Sequence, residues 1–207
     1  MLRHRRVKAM RLIVVGLCAA LVAPLGLAAK PECLVGSPSV EAATPTDRFE
    51  ILNEQPNVAT DKVTGLMWMR CPWGMTLNTV YGCIPAVVTP RLGWKDAIDK
   101  ADDPAGDGSH SLFGKSGWRV PNVKELASII EHGCESPSIN KLVFPSTPVG
   151  KFWTSSPISK TGALSNVWAI DFQTGVADAG VEATYQSAGS VRTPVNTLYV
   201  RFVRDAN

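Results

Sequence analysis

The spacing of apolar positions changes along this chain, and each change predicts a different kind of structure. An apolar run covers residues 12–27, interrupted by Gly16, Cys18, Pro24 and Gly26. Trp94, Ala97, Ile98 and Ala101 then recur at one face of a 3.6-residue period, which predicts a helix. Asp102, Asp103, Pro104, Gly106, Asp107 and Gly108 break it and predict an exposed loop. A second helix starts at Asn122, whose side chain can cap the first turn, with Glu125 three residues on as in a capping box. Val123, Leu126, Ala127, Ile129 and Ile130 form its apolar side, and Gly133 is its stop.

Elsewhere the spacing suits strands. Residues 49–52 predict a short one, and 66–69 another after a turn at 62–65. Residues 152–155 predict a short strand, and 167–172 one that runs into a turn at 173–175. Over 197–204 the alternation places Leu198, Val200 and Phe202 on one side and Tyr199, Arg201 and Val203 on the other. Two helices followed mostly by antiparallel strands make the fold class α+β.

Charge changes the reading of the first segment. Arg3, Arg5, Arg6, Lys8 and Arg11 precede the apolar run, no acidic residue joins them, and Ala28-Ala29 closes it. That is the three-part pattern of a signal peptide over 1–29. The run falls short of the about 20 apolar residues of a membrane span. Neither Cys18 nor Cys33 follows the triplet expected of a lipoprotein. The whole chain has 21 Lys and Arg against 18 Asp and Glu, a net +3; cleavage removes five basic residues and leaves −2. The expectation is a secreted or periplasmic protein with no membrane association after cleavage and no charge-based case for a nucleic-acid partner. Residues 30–46 predict an extended lead, and 47–207 one domain.

Cys33, Cys71, Cys83 and Cys134 remain after cleavage, and an even count in an oxidising compartment favours two disulfides. Four cysteines allow three pairings. The short Gly/Asn/Pro-containing stretch between Cys71 and Cys83 favours that pair, leaving Cys33 with Cys134. No Cys-x-x-Cys occurs, so a cysteine-held metal is not expected. Asp102, Asp103 and Asp107 are a weak calcium candidate, because their spacing lacks the Asp-x-Asp-x-Asp-Gly order. No cofactor is expected: the chain has neither a phosphate-binding nor a dinucleotide-binding glycine loop.

The order of motifs carries a resemblance. Thr64-Gly-Leu-Met-Trp68 comes first, then Cys71 and Cys83, then Trp94 with Ala97. Gly117-Trp-Arg-Val-Pro-Asn-Val-Lys-Glu-Leu126, Phe144-Pro145 and Trp153-Thr-Ser-Ser156 follow. Trp168-x-x-Asp-Phe172 with Gly175, and finally Val200-Arg-Phe-Val-Arg204, complete the series. Over about 47–205 this series resembles the Lcl C-terminal domain family, named for a bacterial collagen-like adhesin. The resemblance implies a C-type-lectin-like fold and a role in adhesion. No collagen-like Gly-x-y stretch precedes the domain, and Val120 stands where Leu is commoner. The Trp-Arg-Val-Pro and terminal Val-Arg-Phe-Val-Arg segments also look like those of formylglycine-generating enzymes. Those enzymes use a late cysteine pair, and no cysteine follows Cys134, so their chemistry is not carried over.

Trp68, Trp94, Trp118, Trp153 and Trp168 occupy apolar-pattern positions and are expected to pack the core. Trp73 differs, because it lies on the loop that Cys71 and Cys83 would close, and it is the stacking candidate. Asn78, Tyr81 and Tyr185 join it as ligand-binding candidates on loops 73–90 and 176–196, with 102–116 as a third loop. Arg119 is expected to pair with Asp171 or Glu125 at the start of the second helix, beside Pro121. No Gly-x-Ser-x-Gly elbow surrounds a serine, and His110 and His132 have no triad context, so no catalytic residue is assigned. The sequence therefore predicts a non-enzymatic recognition or adhesion module whose partner is a glycan or a surface protein. The alternatives are a structural subunit of an envelope or appendage assembly and, third, a divergent formylglycine-generating-type enzyme.

Overall fold

A computed structural model describes residues 42–207 except 89, 110, 161–162 and 189–190. All of them belong to the compact unit Pro31–Asn207. Cys33, the segment 1–29 expected to be a signal peptide, and His110 lie outside the described residues.

The centre is a four-stranded sheet in the order β1 (Phe49–Glu50), β2 (Val58–Asp61), β3 (Leu66–Met69) and β13 (Val203–Asp205). All four residues of β3 are buried, which half-buried alternation would not give. The reason is a core on each face. Leu66 and Trp68 enter one cluster with Phe49, Leu126, Phe144, Phe152 and Phe172. Met67 and Met69 enter a second with Ala97, Trp118, Trp153 and Phe202.

The first helix, α1 (Trp94–Asp102), forms where the periodicity predicts it and buries Ala97 and Ala101. The second, α2 (Val123–Ala127), is shorter than its apolar pattern. The Ser128 hydroxyl donates to the Glu125 carbonyl at 2.7 Å, and the next N–H groups reach back only three residues. A serine that bonds backward competes with the helical ladder. Ile129 and Ile130 are still buried, but Ile130 pairs with Ile139 outside the helix, and His132 stands in a turn rather than in a last helical turn.

The strands show larger departures. The segment expected to be short is β8 (Lys151–Lys160), which pairs with β9 (Ala163–Asp171) and, through it, with β10 (Val176–Glu182). The expected loop over 176–196 holds β10 and a hairpin of β11 (Tyr185–Ala188) and β12 (Val191–Pro194). Small side chains hid these strands from a reading based on apolar alternation. Three further pieces went unread: β2, the hairpin β4 (Met75–Asn78) with β5 (Gly82–Pro85), and the ribbon β6 (Ser111–Leu112) with β7 (Lys115–Ser116).

The alternation over 197–204 does not make one strand. Leu198 bridges Leu92, Tyr199 bridges Phe152, and Val203 bridges Arg119. Val200, Arg201, Phe202 and Val203 are all buried, because the segment threads between elements and meets packing on every side. Arg201 carries its guanidinium into this interior. It donates to the Met69 carbonyl and the Thr147 hydroxyl at 2.7 and 2.8 Å and to the Arg70 carbonyl, and it lies over the Phe144 ring.

The last residues of the predicted lead are tied down. Thr44 is buried, and its N–H and hydroxyl donate to the buried Glu131 carboxylate at 2.6 and 2.9 Å. The Ala43 and Gly133 N–H groups add two more donors, and Asn140 donates to the Thr44 carbonyl at 2.8 Å.

Candidate functional site

Chain entry into the first wall of the site is set by a disulfide. Cys71 bonds Cys83, 12 residues on, and so staples β5 to the segment ahead of β4. Cys134 is disulfide-bonded too, and the Cys33 half of the predicted pair lies outside the described residues. Between the stapled residues, the Trp73 N–H donates to the Val200 carbonyl at 2.8 Å, and its ring packs half-buried on the second core cluster. Gly74 follows with φ +77°, and a Cβ there would stand 2.7 Å from Val87 Cγ2, so the hairpin folds closely over a bare backbone.

The second wall is the segment after α1. Asp103 accepts from the Gly106 and Gly108 N–H groups, both at 3.1 Å, and Asp107 accepts from the Ser109 N–H at 2.9 Å. The Ser109 hydroxyl and N–H hold the Asp107 carboxyl below the ordinary carboxylate range. These carboxylates order their own loop. Among the described residues no group of three or more His, Cys, Asp or Glu side chains is placed to hold a metal ion, Asp102, Asp103 and Asp107 included. The ribbon β6–β7 closes this wall, anchored where the Trp118 indole donates to the Lys115 carbonyl at 2.9 Å.

Between the walls lies a cleft of about 500 Å³, within the usual range for ligand pockets. Trp73, Met75, Leu77, Val87, Leu112 and Phe113 give it an apolar lining, and Lys100 is the charged side chain on its edge. Trp73 and Lys100 also line a neighbouring depression with Asp96, Asp99 and Asp103. Asp96 and Asp99 in turn line a third, with Lys95 and Tyr185.

The structure thus brings Trp73 and Tyr185 to one side of the domain, each beside the α1 surface. It does not bring Asn78 and Tyr81 there. The Asn78 Oδ1 accepts from the Val80 and Tyr81 N–H groups, both at 2.9 Å, and so shapes the hairpin tip. Tyr81 is exposed beyond that tip, where its carbonyl accepts from the Ser146 hydroxyl.

Residues 57–204 match the Lcl C-terminal domain. The chain belongs to that family. The match begins just before β2 and ends within β13, so both walls of the cleft and the whole of α1 are inside the Lcl C-terminal domain. A search of curated proteins finds no match.

Its motif residues have mostly packing roles. Trp68, Trp118 and Trp153 are buried, and Trp94 packs half-buried with its indole donating to the Thr154 carbonyl at 2.8 Å. Trp168 departs from the expectation. It stands on the face of β9 opposite Val167 and Ala169, half-buried and outside both core clusters. Arg119 pairs bidentately with Glu125 at 2.7 and 2.8 Å and reaches Asp205, while Asp171 accepts from the Gln173 N–H. Burial would raise the Glu125 carboxyl, but Arg119 and the Asn122 N–H outweigh it and hold the group below its ordinary value. Pro121 is buried at this junction, and its carbonyl accepts from the Ser155 N–H.

The sequence reading did not select Asp96, Asp99, Lys100 or Phe113. The first three are the polar face of a helix, indistinguishable by pattern from a solvated face. Phe113 offered one signal, an aromatic next to Gly114 in a polar loop, and it stands exposed with φ +53°.

Proposed function

We propose that this domain is an extracytoplasmic, non-enzymatic recognition module that binds a glycan or a surface partner, with the lectin-like role that the family resemblance implies. The observation that carries the reading is Trp73. It is a half-exposed indole on a disulfide-stapled hairpin, at the wall of a cleft large enough for a ligand. A stapled platform loses little conformational freedom on binding, and an indole offers a large flat face to the C–H side of a sugar ring. The basic, apolar and small-residue parts of segment 1–29 support export. Among the described residues no helix is long and apolar enough to cross a membrane.

The test is binding of the cleaved, oxidised domain to a broad glycan panel that includes sulfated polysaccharides, with calcium and with chelator. Saturable binding lost in Trp73→Ala supports the reading. A blank panel from folded protein sinks glycan recognition and shifts the case to a protein partner.

One observation favours the second reading, a subunit of an envelope or appendage assembly. Residues 71–90 contain no charged side chain, and Val80, Tyr81 and Val88 are exposed among them. Exposed apolar side chains on a segment without charge suit a contact with another chain. Concentration-dependent self-association without added ligand, measured by sedimentation, would support it. The enzyme reading lacks a thiol among the described residues, because Cys71, Cys83 and Cys134 are all disulfide-bonded. A thiol titration of the oxidised protein tests that reading directly.

A further inference from the structure

The three depressions adjoin one another. Trp73 and Lys100 line both the first and the second, and Asp96 and Asp99 line both the second and the third. Sharing those side chains, they form a row of depressions, a shallow groove, along the exposed side of α1. That helix alone, at nine residues, is about 13 Å long, which exceeds a single sugar ring.

The groove is aromatic at both ends and acidic between them. Trp73 stands at one end, and the half-buried Tyr185 at the other. Of the two lysines on this side of the helix, Lys95 is paired with Asp99 at 2.5 Å. The Lys100 ammonium leans toward the 103–108 loop, where a Cβ on Gly106 would lie 2.6 Å from it. Asp96, Asp99 and Asp103 outnumber Lys95 and Lys100 along the middle of the groove and leave it net acidic. Ionised carboxylates accept hydrogen bonds from hydroxyls and repel anions.

We propose that this groove takes a linear, uncharged polysaccharide chain, with one sugar ring against Trp73 and the hydroxyls of the following rings donating to Asp99 and Asp96. The inference rests on the recognition reading above and narrows it to a polymer without sulfate or carboxylate groups. Sulfated chains are disfavoured twice, by the carboxylates of the groove and by the −2 net charge of residues 30–207, 16 basic against 18 acidic.

The experiment titrates the cleaved, oxidised domain with dimers and hexamers of β-1,4-glucose, β-1,4-N-acetylglucosamine, α-1,4-glucose and β-1,4-mannose, with a heparin hexasaccharide as the anionic chain. At least one neutral hexamer should bind about tenfold or more tightly than its own dimer. Asp99→Arg, a change at an exposed position, should bring the hexamer's affinity down to that of the dimer, whereas Trp73→Ala should remove binding of both. Thermal unfolding of each variant checks that the fold persists. Equal affinity for dimer and hexamer, or preferential binding of heparin, overturns the extended neutral groove while leaving glycan recognition standing. No binding by any chain overturns both.

Discussion

The Tyr185 hydroxyl accepts a hydrogen bond from the Asp96 backbone N–H at 3.1 Å, across 89 positions of sequence. Asp96 is in the first turn of α1, whose preceding residue, Gly93, has no side chain with which to cap it. A tyrosine from the β11–β12 hairpin therefore supplies the acceptor that a Ser or Asp normally provides. A Cβ on Gly93 would stand 2.5 Å from that hydroxyl and 2.6 Å from Pro194 Cβ, so glycine is what allows the hairpin to come this close. Tyr185→Phe should cost about 1 kcal/mol and lower Tm by roughly 2–4 °C. Gly93→Ala should cost more, and adding Tyr185→Phe to it should cost nothing further, because the hydroxyl then no longer opposes the methyl. Strict additivity of the two losses in urea unfolding would show that the two groups do not meet.

Glu131 makes the fold acid-sensitive. Burial would raise its carboxyl, but the Gly133 and Thr44 N–H groups, the Thr44 hydroxyl and the Ala43 N–H outweigh that and hold it below its usual 4.5. A depressed carboxyl contributes stability that is complete above the unfolded value and is lost as pH falls through the folded one. The urea midpoint should therefore drop between pH 6 and pH 3. Glu131→Gln, which sets an amide donor against other donors, should cost about 2 kcal/mol at pH 7 and flatten that drop. Amide exchange at residues 43 and 44 should accelerate in the variant. An unaltered pH slope would place the acid lability at Asp61 and Glu125, whose carboxyls are also held low despite burial by Arg48 and Arg119.

The Cys71–Cys83 bond closes a loop of 12 positions. Replacing both residues by Ser should destabilise the domain by roughly 2–4 kcal/mol, chiefly by freeing the unfolded chain. Ligand affinity should fall further than stability explains, because Trp73 loses its rigid mount. A loss under about 1 kcal/mol in denaturant unfolding would mean that packing alone holds the hairpin.

Arg201 has no equivalent among the other basic residues described, because burial is complete and its polar partners are carbonyls and a hydroxyl. Desolvation, with Arg70 nearby, pushes the guanidinium down to about 9. Arg201→Lys keeps the charge but cannot span the Met69 carbonyl and the Thr147 hydroxyl at once, so it should cost about 2–3 kcal/mol. Equal stability of the two forms by calorimetry would show that the fork geometry is dispensable.

The sequence by itself determined what is local. The face of α1 is set by Trp94, Ala97, Ile98 and Ala101, and the start of α2 by the Asn122–Glu125 box, in which each residue bonds the other's backbone. These interactions span three or four residues, so spacing alone exposes them. The turn at 62–65 and the strand β3 after it were legible for the same reason. The Cys71–Cys83 pair was legible because the loop between them is short. Only the tertiary structure decided the rest. Residues 197–204 alternate like a strand, yet Arg201 and Val200 are both buried, because different elements cover opposite sides of the segment. The groove was illegible for a related reason. Asp96 and Tyr185 are far apart in the chain, and what joins them is a hydroxyl capping a helix that cannot cap itself. A pattern of neighbours along the chain contains no term for such a contact; its distance is set when the hairpin closes on Gly93.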